Sequence, residues 1–471
     1  MTLFQLAVMA SAAFLFGRLM GTEYRRWGLF GASVVILFWL QPATPLRYAD
    51  FWLPVLLLLI AVLCWVVARK EAPWKRGEDR LTLAVLFAFI AALGLPRLLH
   101  ISWQLTASRP PAMTSILAAL TITALLVLLL PRLGSARAKN TALTFLLLGT
   151  FLTLKTEFLA TIAAGLARRL TGQSFNLAAP ADLNWIGFSY ISFRLLHTLR
   201  DSLSGRLPDM SLRDTVTYIF FFPAVLAGPI DRAERFLGDL QRSEVLKPEE
   251  VLEGGRRIAL GVFKKYILAS LLGLISLQPQ LLGQVDSALW LWLLVYAYAF
   301  QLFLDFSGYT DVAVGMGMLT GIQMPENFNQ PYRQVNLTAF WNSWHITLSQ
   351  WFRAYFFNPV TRSLRRKRSV PAWGIILIGQ AGTMILIGLW HGVSWNFLIW
   401  GGWHAFGLFV HNRWTAFRRS HNLDFLPKPE SAMSRLFGIL LTFHFVSMGW
   451  LWFALESPQL AWETLLRMVG M

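Results

Sequence analysis

Long uninterrupted apolar windows decide what this chain can fold into. Thr2–Met20, Phe51–Ala68, Leu81–His100 and Ala112–Leu130 are each about long enough, as helices, to cross a hydrocarbon core of about 30 Å. One soluble core cannot hide so many such runs. Only 14% of the 471 residues are charged and the mean hydropathy is +0.50, against roughly 25% charge in a soluble chain. The apolar surface is therefore meant for lipid. The expected fold class is an all-α polytopic membrane protein, with about 11–14 transmembrane or re-entrant helices around a central cavity.

The net charge of +17 does not point to nucleic acid, because it is split among short loops. The first six spans are expected near 2–20, 27–41, 51–68, 81–101, 112–131 and 141–166. The first, third and fifth connecting loops carry Arg18, Arg25 and Arg26, then Arg69, Lys70, Lys75, Arg76 and Arg80, then Arg132, Arg137 and Lys139. The second and fourth carry only Arg47 and Arg109. The positive-inside rule places the odd loops in the cytoplasm and the N-terminus outside. The first segment lacks a basic start and reads as a membrane helix rather than a cleaved signal. The single cysteine, Cys64, excludes an intramolecular disulfide framework and a cysteine-based zinc site.

The second half has shorter, more aromatic spans, broken by Pro, Gly and charge. They are expected near 184–200, 213–228, 255–276, 286–305, 308–322, 371–389, 392–412 and 434–455. Irregular backbone at membrane depth survives where protein or water covers it. The division that follows is lipid-facing helices over 1–140 and a cavity-bearing core over 141–471. Residues 336–357 read as one amphipathic helix capped by Asn336, with Trp341, Trp344, His345 and Leu348 on one face and Asn342 and Arg353 on another. Gly308 reads as a helix break between Asp305 and Asp311.

Ionisable groups inside a membrane cost about 2.5–3.5 kcal/mol on insertion scales, and so suggest function. Lys155, Glu157, Asp305, Asp311, His345, His391 and His404 are such groups. His391 lies in Gly-Leu-Trp-His-Gly-Val-Ser-Trp (388–395), at the seam of two apolar spans. A neutral imidazole there takes a proton from a hydroxyl; the bland alternative is a histidine bonded at a helix end. His345, from its residues alone, reads as part of an aromatic girdle. Asp305 and Asp311 suit either a cation site or a tie between helices. No pattern of metal ligands is present, and no metal is expected. Gly315, Gly317 and Gly321 lack the dinucleotide spacing and read as close helix packing.

Four stretches together resemble the bacterial branch of the membrane-bound O-acyltransferase family. They are Phe-Phe-Pro-Ala-Val-Leu-Ala-Gly-Pro-Ile (221–230), Phe-Gln-Leu-Phe-Leu-Asp-Phe-Ser-Gly-Tyr-Thr-Asp (300–311), the run from Pro325 to Arg353, and Gly-Leu-Trp-His-Gly-Val-Ser-Trp-Asn-Phe (388–397). The second and fourth look most like alginate O-acetyltransferases. Ser-Tyr-Ile-Ser-Phe-Arg (189–194) and Gly-Pro-Ile-Asp-Arg-Ala-Glu-Arg-Phe (228–236) look more like the D-alanyl transferase of teichoic acid modification. Ala354 to Val360 depart from both patterns.

The resemblance implies acyl transfer from a cytoplasmic thioester, acyl-CoA or an acyl carrier protein, to a hydroxyl of an extracytoplasmic glycan or envelope polymer. No tightly bound cofactor is implied. His391 matches the essential histidine of the family and His345 its second functional histidine, which replaces the girdle reading. Asn342, Trp344 and Trp390 are candidate oxyanion donors; Asp305, Tyr309 and Arg353 are candidate supporting or substrate-binding residues. Membrane lipids and an extracytoplasmic partner acyltransferase are the other expected partners, and a bacterial inner (plasma) membrane the expected location. The rival readings are a secondary transporter, which calls for pseudosymmetric repeats that the sequence lacks, and a membrane scaffold of an envelope-modification complex, which has no need of intramembrane histidines.

Overall fold

The computed structural model describes residues 2–18, 21–69, 75–242, 247–367, 369–421 and 431–471. Lys70, one of the loop cations named above, lies outside them. The chain divides into two compact units, Met1–Ile258 with Ala313–Met324, and Ala259–Val312 with Pro325–Met471.

The first unit begins with α1 (Leu3–Arg18), α2 (Thr22–Trp39), α3 (Ala49–Ala68), α4 (Gly77–Ala92) and α5 (Met113–Leu129). α6 (Ala136–Lys155) is started by Ser135, whose side chain accepts from the Ala138 N–H, satisfying one of the free donors of a helix end. It does not run on as a single span. At Thr156 the chain bends by 102° into α7 (Glu157–Leu170). The continuous span expected over 141–166 is therefore broken between Lys155 and Glu157. Lys155 instead places its ammonium 5.9 Å from the ring centre of Phe151.

Two buried arginines lock this unit. Arg194, on α8 (Phe188–Leu203), donates to the carbonyls of Ile219 (2.8 Å), Ala224 (2.9 Å) and Pro229 (3.4 Å). It thereby caps the last turn of α9 (Leu212–Phe220) and ties it to the turn and loop that follow. Arg25 donates to the carbonyls of Asp239, Leu240 and Arg242 at the end of α10 (Ala233–Leu240), where cations complement the helix dipole. The same unit holds close glycine contacts, Gly315 among them. A Cβ on Gly315 would lie 2.6 Å from the carbonyl oxygen of Gly254 on α11 (Pro248–Val262).

α12 runs unbroken from Ala288 to Thr320. The expected break at Gly308 is absent, and Gly308 serves packing instead. A Cβ there would lie 2.7 Å from the carbonyl of Gly261, and a Cβ on Gly261 2.4 Å from that of Gly308. Only glycine at both positions lets the two backbones approach so closely. A turn of π-helix, Phe263–Leu268, precedes α12 in the second unit and carries Lys264 and Lys265 towards Asp311 and Asp305.

Further helices of the second unit are α13 (Ile346–Phe352), α14 (Asn358–Lys367), α15 (Ala372–His391), α16 (Trp395–His421), α17 (Ala432–Ala454) and α18 (Pro458–Met468). α15 and α16 pack at small residues: a Cβ on Gly388 would sit 2.2 Å from the Phe397 carbonyl, and one on Gly401 2.6 Å from that of Met384. Among the described residues, six helices are long and apolar enough to cross a membrane, and the α6–α7 pair, apolar enough when taken together but bent by 102°, is a broken span or a re-entrant loop. The protein is an all-α, multi-pass membrane protein.

Candidate active site

The run 336–357 is not one helix. Asn336 does cap its start, accepting from the Ala339 N–H at 2.9 Å, but the helix ends at Trp341. His345 adopts a left-handed backbone, φ 43° and ψ 54°, and α13 starts after it. The cause is pairing with the segment Asn327–Asn329. The Ile346 N–H donates to the Asn327 carbonyl, the Asn329 N–H donates to the Ser343 carbonyl, and Phe328 and Trp344 form a bridge between them. The Asn327 amide oxygen also accepts from the hydroxyl of Thr347 at 2.6 Å. A non-glycine residue in this region is strained by roughly 1–3 kcal/mol, and such strain persists where the surroundings over-determine it. Here it turns the His345 ring into the unit instead of along a helix face.

His345 is 3% exposed. Its ring packs edge-on against Phe306, 4.7 Å between centroids, and against Trp390 at 5.9 Å.

His391 is the last residue of α15, followed by Gly392 in extended backbone. Its ring lies 4.6 Å from Trp390, 4.8 Å from Phe453, 5.5 Å from Trp400 and 5.8 Å from Phe397. The two histidines, 46 positions apart, line one small cavity. Its walls are Leu302, Phe306, Trp341, Trp344, Leu348, Ile387, Trp400, Trp450 and Phe453. An apolar, aromatic wall around two imidazoles keeps bulk water away and strengthens any charge interaction made inside. The arrangement suits proton transfer to and from a bound group. Among the described residues no cluster of His, Cys, Asp or Glu is arranged to hold a metal ion.

The other candidates fall on both sides of this boundary. Trp344 lines the cavity, and Trp390 touches both histidine rings. Asn342, Arg353, Asp305 and Tyr309 are not among its lining residues. Arg353 donates to the Asn342 side-chain oxygen at 2.5 Å. Asp305 accepts from Lys265, and Asp311 from Lys264 at 2.6 Å, so both aspartates tie the π-turn to α12. Sequence reasoning missed Asn327, whose amide builds the turn under His345, and Trp400, Trp450 and Phe453. The aromatic spacing of Trp395, Trp400 and Trp403 was the available signal for Trp400. Trp450 and Phe453 lie outside every stretch that carried the resemblance.

Residues 132–448 match the model of the MBOAT, membrane-bound O-acyltransferase family. The chain is 32% identical over 287 residues to a teichoic acid D-alanyltransferase of Streptococcus thermophilus, covering 58% of this chain and 68% of that protein. It is 34% identical over 284 residues to a probable alginate O-acetylase of Azotobacter vinelandii, covering 59% and 52%. It is 30% identical over 260 residues to a peptidoglycan O-acetyltransferase of Helicobacter pylori, covering 55% and 47%. The matched part thus spans about half the length of these two O-acetylating relatives.

Proposed function

This chain belongs to the membrane-bound O-acyltransferase family and is an acyltransferase; from that premise we propose that it acylates a hydroxyl of an extracytoplasmic glycan or cell-envelope polymer, with His391 as the base. The donor in this reading is a cytoplasmic thioester, acyl-CoA or an acyl carrier protein, and the group moved is acetyl or D-alanyl, as the names of the relatives suggest. One observation carries the reading: His391 and His345 converge on a single aromatic-walled cavity.

A hydroxyl is a poor nucleophile at pH 7 until a base removes its proton as it attacks. His391 takes that proton while the acceptor oxygen bonds to the thioester carbonyl carbon. The tetrahedral intermediate then collapses, the carbon–sulfur bond breaks, and His391 returns the proton to the departing thiolate. His345, held by the Asn327 turn, orients the hydroxyl or the donor. Trp344, which lines the cavity, and Trp390, which touches both histidine rings, are the proposed indole donors, whereas Asn342, paired with Arg353, does not line the cavity.

Charge supports an extracytoplasmic placement of the histidine end in a bacterial plasma membrane, with the N-terminus outside. Arg362, Arg365, Arg366 and Lys367 precede α15, and Arg413, Arg418 and Arg419 lie late in α16. Both sets are at the helix ends far from His391, and the positive-inside rule puts those ends in the cytoplasm. Membrane lipids and an extracytoplasmic partner acyltransferase complete the proposed setting.

The test is thioester consumption by purified protein, offered acetyl-coenzyme A and, separately, a D-alanyl-loaded carrier protein. Wild type should release free thiol with one of them and His391→Ala should not. Equal release by both proteins would sink the mechanism.

A further inference from the structure

The wall of the histidine cavity discriminates between acetyl and D-alanyl as the group transferred. Acetyl is small and uncharged. D-alanyl carries in addition a methyl group and, near neutral pH, an ammonium on the carbon beside the carbonyl. An ammonium presents several N–H donors, no acceptor, and is strongly hydrated. A site that takes it out of water must supply acceptors or a counter-charge.

This wall supplies neither. Among the described residues that line the cavity there is no Asp, Glu, Asn, Gln, Ser or Thr. Leu302, Phe306, Leu348, Ile387 and Phe453 bring only carbon. The indoles of the wall carry N–H groups, which donate and do not accept. The bare nitrogen of an uncharged imidazole does accept, but on His391 it is the atom that must receive the hydroxyl proton. Asp305 sits between Leu302 and Phe306 on α12, yet it does not line the cavity and already accepts from Lys265. Aromatic faces attract a cation, but they offer its N–H groups no oxygen or nitrogen. The space between the walls is about 40 Å³, room for roughly three water-sized groups. That suits an acetyl group and falls short of D-alanyl.

We infer that the group transferred is acetyl, and that the cavity wall excludes D-alanyl because nothing in it compensates an ammonium. This rests on the reading of the His391 cavity as the acyl-transfer site. In the reaction the acetyl carbonyl carbon loses its bond to the thioester sulfur and gains one to the acceptor oxygen, and the hydroxyl proton ends on the departing thiol. Leu302, a half-buried wall residue, is the specificity-determining position to probe, because a carboxylate there would supply the missing counter-charge.

The experiment uses the full chain in lipid nanodiscs. Acetyl, isobutyryl and D-alanyl thioesters are offered on coenzyme A and, in parallel, on an acyl carrier protein, and thiol release is read above the protein-free rate. Isobutyryl has the shape of D-alanyl with a methyl group in place of the ammonium, so that pair isolates the charge. In kcat/KM, acetyl should exceed D-alanyl by at least about 100-fold, which an apolar pocket reaches against a single added hydroxyl. Isobutyryl should fall between them. D-alanyl transferred as well as acetyl would overturn the inference. Isobutyryl rejected as strongly as D-alanyl would overturn it too, by leaving size as the cause. Leu302→Asp should raise D-alanyl relative to isobutyryl by at least about tenfold, and an unchanged ratio in folded protein would overturn the role given to the wall. If that variant does not fold, the wild-type order of the three thioesters decides. Turnover surviving in His391→Ala would instead refute the proposed base, and the order of acyl groups with its response at Leu302 would still decide which group the cavity takes.

Discussion

Lys264 Nζ lies 2.6 Å from Asp311 Oδ2, joining the π-turn to the middle of α12. Lys264 is 23% exposed and Asp311 10% in their side chains, whereas Asp305, the partner of Lys265, is 51% exposed. Removing one partner of a buried pair leaves an uncompensated charge and costs about 3–5 kcal/mol, while exposed pairs contribute about 0–1 kcal/mol. Asp311→Asn should therefore lower the melting temperature in detergent clearly and Asp305→Asn hardly at all. Equal shifts for the two would mean that burial does not set their weight.

Gly261 and Gly308 test a different kind of contact. A Cβ on Gly261 would stand 2.4 Å from the Gly308 carbonyl, and backbone cannot move aside as a side chain can. Overpacking of this kind costs typically about 1–3 kcal/mol. Gly261→Ala should destabilise by about that amount, measured by thermal unfolding, while Gly255→Ala, where a Cβ meets nothing within 4 Å, should be neutral or slightly stabilising. A neutral Gly261→Ala would show that the helices separate at little cost.

The membrane character was legible because lipid imposes length and polarity on each span separately. Breaks inside spans were not, because they depend on partners distant in sequence. Gly308 looks like a breaker until Gly261 is seen against it. The helical spacing of 336–357 is genuine at both ends, and what interrupts it is Asn327, which bonds the backbone on the far side of His345. Arg194 illustrates the same limit: the sequence shows an arginine in an apolar helix, and only the loop it caps explains it. Both histidines stand out in the sequence as intramembrane ionisable groups, and the resemblance added the second one's role; their meeting in one cavity is visible only in the structure.

The proposed topology rests on the loop charges. Single cysteines at Thr2 and at Lys75, in a Cys64→Ser background, should report opposite sides of the membrane. Thr2 should react with an impermeant maleimide in intact cells, and Lys75 only after permeabilisation. The reverse pattern would invert the proposed orientation of the N-terminal helices.

The last prediction separates backbone from ring at His345. Its φ of 43° is a region that asparagine tolerates better than most residues and alanine poorly, at a cost of roughly 1–2 kcal/mol. His345→Ala therefore loses the ring and adds strain, whereas His345→Asn loses the ring alone. His391, with extended Gly392 after it and no left-handed backbone of its own, carries no such penalty. The expected order of melting temperature is wild type, then His391→Ala and His345→Asn together, then His345→Ala. Acyl transfer should follow a different order, because loss of a general base costs about 10²–10⁴-fold and loss of an orienting group less. His391→Ala should be the least active of the set, with His345→Asn and His345→Ala alike in rate per folded molecule. If activity instead tracks the melting temperatures, His345 is a structural residue of the Asn327 turn and the two-histidine mechanism fails.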